Sequence, residues 1–560
     1  MKAIRCLFAL APCVLAMAVH GQNAIPVTTH GPVPAALPGL NIGLGQSNEV
    51  ISCTPLRLTP ANATQGHFTN TQVSVTYEAA QAKRCANITL TDGAGNAVAT
   101  VVRYQSEWSN PLTGVVGAVT LAPVSELATG KVYQIHQAGR QVGSFSTSAA
   151  VRQRGRPVVV SDQPVKFSDL PKAAQLSAAT INGMLTTLLK DSVHNKIGQM
   201  LAKAALGKEA PNLAEPHARY SARVKKLTYT SSRADGTPIE LSGLLIYPEN
   251  ADGSAFNYNG VATVLGQHGS LRSTNPAPSS AATLEVVVGL LAAGKGHVYF
   301  APDLIGLGDT ATQPQAYLIA QDTASASEDM LMAVRSYFAE QFNGAQLSRD
   351  LRIFGASQGG YSAMAVLPSL SALADVRAVY AGEGPYNVLR TLQSPLLTMA
   401  GEPRDAYARY EDLSFVPGHL RTIMDTYRSY EGLAYNTGDV FKPDGQLQPA
   451  FLAEFKQGKY PRLLKHMLLN TLIEGDITLT APSADVTLFH YSQDSLVPAQ
   501  NTTDMLGFLR SGRHHLGSVN RGDCRESSAF VKLFLFFSSA KQKTHTVCTL
   551  YTTDRFVGEL

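Results

Sequence analysis

Charged residues are scarce in this chain of 560 amino acids. They make up 16% of the sequence, below the roughly 25% typical of soluble domains, and the formal net charge is only +4. No long basic run occurs, which argues against a nucleic-acid groove. Hydrophobic residues reach 44%, so disorder over most of the length is excluded. A chain of this length exceeds one ordinary core, and two or more domains are expected.

Metal-binding motifs and membrane-spanning segments are also missing from the sequence. Neither HExxH nor paired CxxC occurs, so we expect no catalytic metal and no cofactor. No apolar stretch reaches the roughly 20 residues that a spanning helix requires without a charge, Gly or Pro. The sequence contains no internal repeat and leaves the oligomeric state open.

The first 21 residues have the pattern of an export signal. Lys2 and Arg5 precede an apolar stretch over 6–19, and small residues that suit cleavage lie near Ala18 and Gly21. The alternative is an uncleaved anchor, for which the stretch is short. We therefore expect a soluble protein that is exported to the periplasm or out of the cell.

Few cysteines remain once this signal is removed. The four are Cys53, Cys85, Cys524 and Cys548, and an even number is typical of an exported, disulfide-bonded protein. Their spacing favours two local pairs, Cys53 with Cys85 and Cys524 with Cys548. Four cysteines allow three pairings, and free buried thiols are a further alternative.

The composition changes several times along the chain. Residues 22–49 are rich in Pro and Gly, as in a linker, and 50–150 contain short alternating runs typical of a small all-β sandwich. Apolar residues recur at helical spacing in 151–219, which predicts a helical connector. Buried strands then alternate with helices over 220–560, which indicates an α/β fold with a mostly parallel sheet.

A candidate nucleophile lies in the second half of the chain. Residues 355–359 read Gly-Ala-Ser-Gln-Gly, follow an apolar strand at 351–354 and open a helix at 359–367. This strand, turn and helix would expose the Ser357 hydroxyl at a helix N-terminus. A serine in an ordinary turn is the alternative.

Backbone donors for an oxyanion are expected on either side of this serine. The first is the N–H of Gln358, directly after the nucleophile, and the second is in the loop that ends at Ser270 after the apolar strand 261–265. His268 lies in that loop, where we expect it to order the loop rather than to act as a base.

The orienting acid is expected after a later strand. Asp494 follows the strand predicted at 486–491, on a turn from which a carboxylate can hold the tautomer of a histidine. Helical segments over about 385–480 interrupt the sheet before that strand. They predict a lid over the site, or a helical subdomain with no gating role.

Three histidines follow Asp494 and are candidates for the base. His545 comes after the apolar run 530–537, which we interpret as the final strand, and three residues before Cys548, whose disulfide would hold its loop. His514 and His515 lie in a polar stretch typical of a solvated surface and are the alternatives.

These motifs together resemble those of the α/β-hydrolase superfamily, and within it the exported lipase and esterase group. The resemblance covers about 220–560 and rests on QHGS, APDLIGLG, GASQGG, AGEGPYNV, YSQDSLVP and THTVC in this order. It implies an α/β-hydrolase sheet with a helical lid insertion. It also implies an acyl-enzyme mechanism in which Ser357 is the nucleophile, Asp494 the acid and His545 the base.

The amino-terminal sandwich has a separate resemblance. The passage VTLAPVSELATGKVYQIHQAGRQVGSFSTS looks like the closing strands of bacterial Ig-like modules. The predicted architecture is therefore a small Ig-like sandwich followed by the α/β-hydrolase domain.

The function predicted from the sequence is hydrolysis of small-molecule or lipid carboxylic esters without a cofactor. The alternative on the same fold is a serine peptidase or amidase, because a triad of this type also attacks amides. A catalytically inactive binding or adhesion protein is the alternative from a different class.

Overall fold

A computed structural model describes residues 53–79, 85–111, 113–167, 170–192, 196–271, 276–537 and 544–560. The predicted export signal and the linker over 22–49 lie outside the described residues. Within these ranges no helix is both long and apolar enough to span a membrane.

Eight strands near the amino terminus form two four-stranded sheets, ordered β1-β3-β6-β5 and β2-β8-β7-β4. Val73, Val75 and Tyr77 alternate along β3 and pack against Ile135 and Phe145 of the second sheet. The two sheets therefore enclose one apolar core, as predicted from the alternating pattern. The strands are β1 Cys53–Thr59, β2 Thr64–His67, β3 Val73–Ala79, β4 Ile88–Asp92, β5 Thr100–Asn110, β6 Gly114–Pro123, β7 Val132–Gln137 and β8 Arg140–Thr147.

A disulfide joins the start of β1 to the segment before β4. Cys53 and Cys85 are bonded, with their Cα atoms 5.6 Å apart, as the local spacing predicted. Because β1 and β4 belong to different sheets, this bond links the two layers of the sandwich.

The rest of the chain is built on a ten-stranded sheet, ordered β10-β11-β12-β14-β13-β15-β16-β17-β18, with β9 paired to β11. Strand β11 pairs antiparallel with β9, β10 and β12, and β12 pairs antiparallel with β14. The remaining pairs, from β14 through β13, β15, β16 and β17 to β18, are parallel. The strands are β9 Pro157–Asp162, β10 Gln175–Leu176, β11 Ser221–Ser232, β12 Pro238–Glu249, β13 Thr263–Gln267, β14 Val298–Pro302, β15 Asp350–Ala356, β16 Asp375–Gly382, β17 Thr480–Phe489 and β18 His515–Arg521.

Helices cover both faces of this sheet. Val264 and Leu265 are neighbours in β13, and they belong to two different apolar clusters because successive side chains point to opposite faces. The helices are α1 Ala178–Ser192, α2 Lys196–Glu209, α3 Pro211–Ala214, α4 Leu284–Gly294, α5 Ala320–Gln341, α6 Gln358–Ala365, α7 Leu367–Leu370, α8 Val388–Met399, α9 Val416–Tyr430, α10 Thr437–Val440, α11 Pro449–Lys456, α12 Pro461–Leu469, α13 Gln500–Leu509, α14 Ala529–Phe537 and α15 Val547–Gly558.

Helices α8 to α12 form the insertion between β16 and β17. They occupy most of the 385–480 segment in which a helical lid was expected. The hydroxyl of Tyr361 in α6 donates to the carbonyl of Asn470, 2.8 Å away, at the end of α12. The insertion is therefore attached directly to the helix that follows Ser357.

Two secondary-structure predictions are wrong. The 151–219 segment contains helices α1 to α3, but strands β9 and β10 also lie there and extend the large sheet. The apolar run 530–537 falls in helix α14, and the last strand among the described residues is β18 instead. A run of apolar residues without alternation suits a buried strand or a buried helix equally, so periodicity could not separate them.

The sandwich packs tightly against the α/β part of the chain. Trp108 of β5 is 2% exposed and belongs to the main apolar cluster of the large sheet. Its indole N–H donates to the carbonyl of Ile473, 3.3 Å away. Arg57 of β1, whose side chain is 9% exposed, forms an ion pair of 3.0 Å with Glu431 after α9. Apolar and charged contacts therefore both cross this boundary.

We predict that Trp108→Ala lowers the free energy of unfolding by about 3 to 5 kcal/mol, because it removes a fully buried aromatic side chain from the shared core. Trp108→Phe retains a ring at this position and should cost less. Urea unfolding followed by circular dichroism compares the variants. An alanine variant as stable as the parent would contradict the packing of the sandwich against the sheet.

Candidate active site

Ser357 lies on a sharp turn between β15 and α6. Its backbone angles are φ 59° and ψ −123°, a region that a residue with a side chain rarely adopts, so the turn is strained. A Cβ atom at Gly359 would lie 2.1 Å from the carbonyl oxygen of Gln267, and one at Gly355 would lie 2.2 Å from that of Gly359. Only glycine fits at both flanks, which explains the Gly-x-Ser-x-Gly pattern.

His545 joins this serine to the predicted acid. Its Nε2 lies 2.8 Å from Oγ of Ser357, and its Nδ1 lies 2.7 Å from Oδ2 of Asp494. The structure therefore brings together the serine, histidine and aspartate that the sequence singled out.

Asp494 is buried on the turn after β17 and is held at both oxygens. Oδ1 accepts hydrogen bonds from the backbone N–H groups of Leu496 at 2.8 Å and Val497 at 3.1 Å. Oδ2 faces Nδ1 of His545 and also Nε2 of His490, 3.2 Å away. The carboxylate is therefore fixed in orientation before any substrate binds.

His490 is a site residue that was not predicted from the sequence. It is 1% exposed, and its Nδ1 lies 2.8 Å from the hydroxyl of Thr502. Its Nε2 faces the carbonyl of Val497 at 2.8 Å as well as Asp494. The only available signal was its place at the end of the strand that leads to the acid.

Charge pairing sets the protonation of the buried histidine and aspartate. Burial lowers the pKa of His545, but the charge of Asp494 and its hydrogen bond outweigh burial, so the pKa of His545 is raised above 6.5. Burial raises the pKa of Asp494, but His545 and His490 outweigh it and hold that pKa below its usual range. Asp494 is therefore the anion of the site.

A second buried carboxyl group, that of Glu383, lies beside this pair. Oε1 accepts from the backbone N–H of Cys548 and Oε2 from the hydroxyl of Thr549, both at 3.2 Å. One oxygen of Glu383, one of Asp494 and a ring nitrogen of His545 lie within 4.8 Å of one another. Burial raises the pKa of Glu383; His545 opposes this shift, and the charge of Asp494 adds to it.

These three groups have atom types that can bind a metal ion. Both ring nitrogens of His545 are, however, engaged, Nδ1 by Asp494 and Nε2 by Ser357. Glu383 was not singled out from the sequence. A carboxylate in the GEGPYNV segment, directly after a buried strand, was the available signal.

The predicted disulfide near the histidine is present. Cys524 and Cys548 are bonded, with their Cα atoms 5.0 Å apart, and Cys548 lies three residues after His545 at the start of α15. The bond ties the histidine segment to the chain that leaves β18.

Known structures share the architecture that carries this site. The chain aligns with LipA, a rice cell wall degrading esterase from Xanthomonas oryzae, at 18% identity and a TM-score of 0.50, over 73% of this chain and 99% of that chain. The two proteins share a fold. It is the α/β-hydrolase fold.

Two other structures align at lower TM-scores. A protein from Legionella pneumophila has 19% identity and a TM-score of 0.48, over 64% of this chain and 93% of its own. Lipase A from Candida antarctica has 10% identity and a TM-score of 0.41, over 70% and 85%. No family model and no curated protein matches the sequence.

In the α/β-hydrolase fold one loop that leaves the sheet borders the nucleophile. The corresponding loop here follows β13 and packs against the turn at Ser357. A Cβ atom at Gly269 would lie 3.5 Å from the carbonyl oxygen of Ala356. The side chain of Ser270 is bonded to the hydroxyl of Tyr317 at 2.9 Å. Gln358 is the first residue of α6, where backbone N–H groups have no partner within the helix. The oxyanion roles of Gln358 and Ser270 stay predictions.

His268 has the surroundings expected of a residue that orders a loop. It is 1% exposed. Its Nδ1 lies 2.8 Å from the carbonyl oxygen of Gly269 and its Nε2 lies 3.2 Å from that of Asp303. These contacts join the loop after β13 to the end of β14.

The two alternative candidates for the base, His514 and His515, lie far from Ser357. His515 begins β18 and is exposed, and His514 precedes it, with Nδ1 accepting from the backbone N–H of Leu479 at 3.1 Å. Because β15 and β18 run parallel within the sheet, the start of β18 is at the edge opposite the end of β15, where Ser357 lies. The structure brings His545 to the serine, and neither His514 nor His515.

The helical insertion reaches the acid turn. The N–H of Asp412 donates to the carbonyl of Ser495, 2.8 Å away, and Glu411 beside it is buried. Burial and then the charge of His545 lower the pKa of His419, on α9, to about 4. Helix α9 therefore lies close enough to His545 for the charge of that residue to affect His419.

We predict that Gly359→Ala destabilises the fold by about 2 kcal/mol, because the added methyl group would overlap the backbone of Gln267 and force the turn apart. Gly507→Ala is the matched control, since its Cβ would meet nothing within 4 Å and alanine favours the interior of helix α13. Urea unfolding measures both. Equal stability of the two variants would contradict the tight approach at Gly359.

Proposed function

We propose that this protein is a serine hydrolase that cleaves carboxylic esters through an acyl-enzyme. The observation that carries the proposal is the continuous hydrogen-bonded chain from Oγ of Ser357 through the imidazole of His545 to the carboxylate of Asp494. The strained turn that presents the hydroxyl supports the same reaction. The shared fold with an esterase is consistent with it.

The first half of the reaction transfers the acyl group to the serine. Nε2 of His545 takes the proton of Ser357 as Oγ attacks the ester carbonyl carbon, and Asp494 stabilises the imidazolium. The N–H of Gln358 and the loop ending at Ser270 would donate to the tetrahedral oxygen. Collapse of this intermediate breaks the C–O bond, and the alcohol leaves with the proton from His545.

The second half releases the acid. His545 takes a proton from water, the resulting oxygen attacks the acyl carbon, and Oγ of Ser357 leaves and regains its proton. The free acid departs and the site returns to its starting state. None of these steps requires a cofactor.

We predict that Ser357→Ala and His545→Ala each lower turnover of a nitrophenyl ester by about 10⁴-fold or more, because each removes a group that takes part in bond formation or proton transfer. Ser362→Ala is the matched control on α6, and His515→Ala is the control for the histidine. Both controls should keep activity. Full activity in Ser357→Ala would remove the serine from the mechanism.

The class of substrate is tested separately from the nucleophile. An ester series of increasing acyl length and a matched series of amides should give turnover of the esters and much slower turnover of the amides. Faster turnover of the amides would favour a peptidase function for the triad. A folded protein that a fluorophosphonate probe fails to label would favour a binding role.

The pH dependence of kcat/KM follows from the raised pKa of His545. The base must be neutral to accept the serine proton, so activity falls as the pH drops through the pKa of His545, which lies above 6.5. The pKa of Asp494 is lowered, so this carboxylate stays charged across the same range. We expect the acid limb of kcat/KM to have its midpoint above pH 6.5. A midpoint well below 6 would contradict the pairing with Asp494.

We propose that the protein acts outside the cytoplasm. Two disulfides join the four cysteines that remain after the predicted signal over 1–21, and such bonds are typical of oxidising compartments. The amino terminus of the mature protein, isolated from its native host and sequenced chemically, should begin near residue 22.

We further propose that the sandwich over 50–150 is an Ig-like module, distinct from the α/β-hydrolase domain over 220–560. The single core of its two sheets supports this division. We also propose that the insertion over 385–480 is a lid. The hydrogen bond from Asp412 to Ser495 on the acid turn and the electrostatic effect of His545 on His419 support that role.

A further inference from the structure

Two carboxyl groups lie beside one imidazole in this site. Glu383 is 0% exposed, Asp494 is 1% exposed and His545 is 6% exposed, and ligand-type atoms of the three lie within 4.8 Å of one another. The reaction proposed above uses only Asp494 and leaves Glu383 without a role. A buried carboxyl group is costly to retain without a partner or a function.

Only one of these carboxyl groups is charged when the imidazole is neutral. Two like charges at this separation in a buried site disfavour each other strongly. Asp494 faces four nitrogen atoms, those of Leu496, Val497, His545 and His490. Glu383 accepts from one N–H and one hydroxyl. Asp494 is therefore the better anion, and Glu383 keeps its proton.

Glu383 also connects the end of β17, the strand that leads to Asp494, to the histidine segment. Its backbone N–H donates to the carbonyl of Phe489 at 2.8 Å, and its side chain holds Cys548 and Thr549 in the first turn of α15. His545 precedes this turn by two residues. The side chain thus positions the imidazole through the residues that follow His545.

We propose that Glu383 is a second acid of the site: a neutral positioning residue while Asp494 is charged, and the counter-charge of the imidazolium when Asp494 is neutralised. In the second state Glu383 releases its proton to water and becomes the only anion beside His545. This inference rests on the proposed function for its kinetic consequences, but its electrostatic part does not require turnover.

Other titratable groups face the same cluster. His490 lies against Asp494 from the end of β17. From the insertion, Glu411 is near Asp494 and His419 is near His545. Neither Glu411 nor His419 belongs to the group whose ligand atoms lie within 4.8 Å. Glu411 is therefore a matched control for Glu383, as a buried carboxyl group that is close but not adjacent to the imidazole.

The kinetic test compares Asp494→Asn with the double variant Asp494→Asn/Glu383→Gln. An opposite charge within this distance shifts a pKa by about 1 to 3, so the double variant should be about 10- to 1000-fold slower in kcat than Asp494→Asn. Asp494→Asn/Glu411→Gln should match Asp494→Asn. Equal rates for Asp494→Asn and Asp494→Asn/Glu383→Gln would overturn the reserve role of Glu383.

The positioning role is tested in the parent background. Glu383→Gln keeps an acceptor for the N–H of Cys548 and should change kcat less than about threefold, because the replaced group is neutral in the parent. Glu383→Ala removes the acceptor and should lower kcat at least about tenfold with little change in KM. An alanine variant with the kcat of the glutamine variant would overturn the positioning role.

An NMR titration of the His545 ring decides the electrostatic part without any substrate. The pKa of His545 should stay above 6.5 in Asp494→Asn, where Glu383 supplies the charge, and fall by about 1 or more in the double variant. A fall of the same size in both variants would overturn the proposal. Inactivity of the parent toward esters would contradict the proposed function. This titration would still decide the electrostatic role of Glu383.

Discussion

The buried hydrogen bond between Nδ1 of His545 and Oδ2 of Asp494 is the interaction on which the site depends. It fixes which ring nitrogen carries the proton, and so leaves Nε2 free to accept from Ser357. The two residues are 51 positions apart, and no local structure holds them together. The parallel sheet brings Ser357 and Asp494 to one edge, where β15 and β17 end, and the segment before α15 carries His545 to them.

Around this bond, separate devices hold each group in place. Glycines at 355 and 359 allow the strand and the helix to approach so closely that Ser357 is forced outward. Two backbone N–H groups donate hydrogen bonds to the carboxylate of Asp494. The Cys524–Cys548 disulfide and the Glu383 carboxyl both hold the start of α15, from two directions. The imidazole therefore does not depend on a single support.

Much of this arrangement could be predicted from the sequence, because the pattern of each group is local. Ser357 is marked by its flanking glycines, Asp494 by the strand before it, and the disulfides by the spacing of four cysteines. The last strand was not predictable in the same way. The 530–537 run is apolar except for Lys532 and lies in helix α14, whereas the polar β18 is a strand because it pairs with β17 at the sheet edge. His490 and Glu383 were missed because their roles exist only in contacts between distant segments.

Oγ of Ser357 is proposed as the reacting atom, and the N–H of Gln358 as a donor to the developing negative charge. A crystal structure of the protein after reaction with a nitrophenyl alkylphosphonate tests both roles at once. We expect phosphorus bonded to Oγ of Ser357, with a phosphoryl oxygen within about 3.1 Å of the Gln358 N–H. Phosphorus on another side chain, or an unreacted Ser357 in folded protein, would contradict the proposed mechanism.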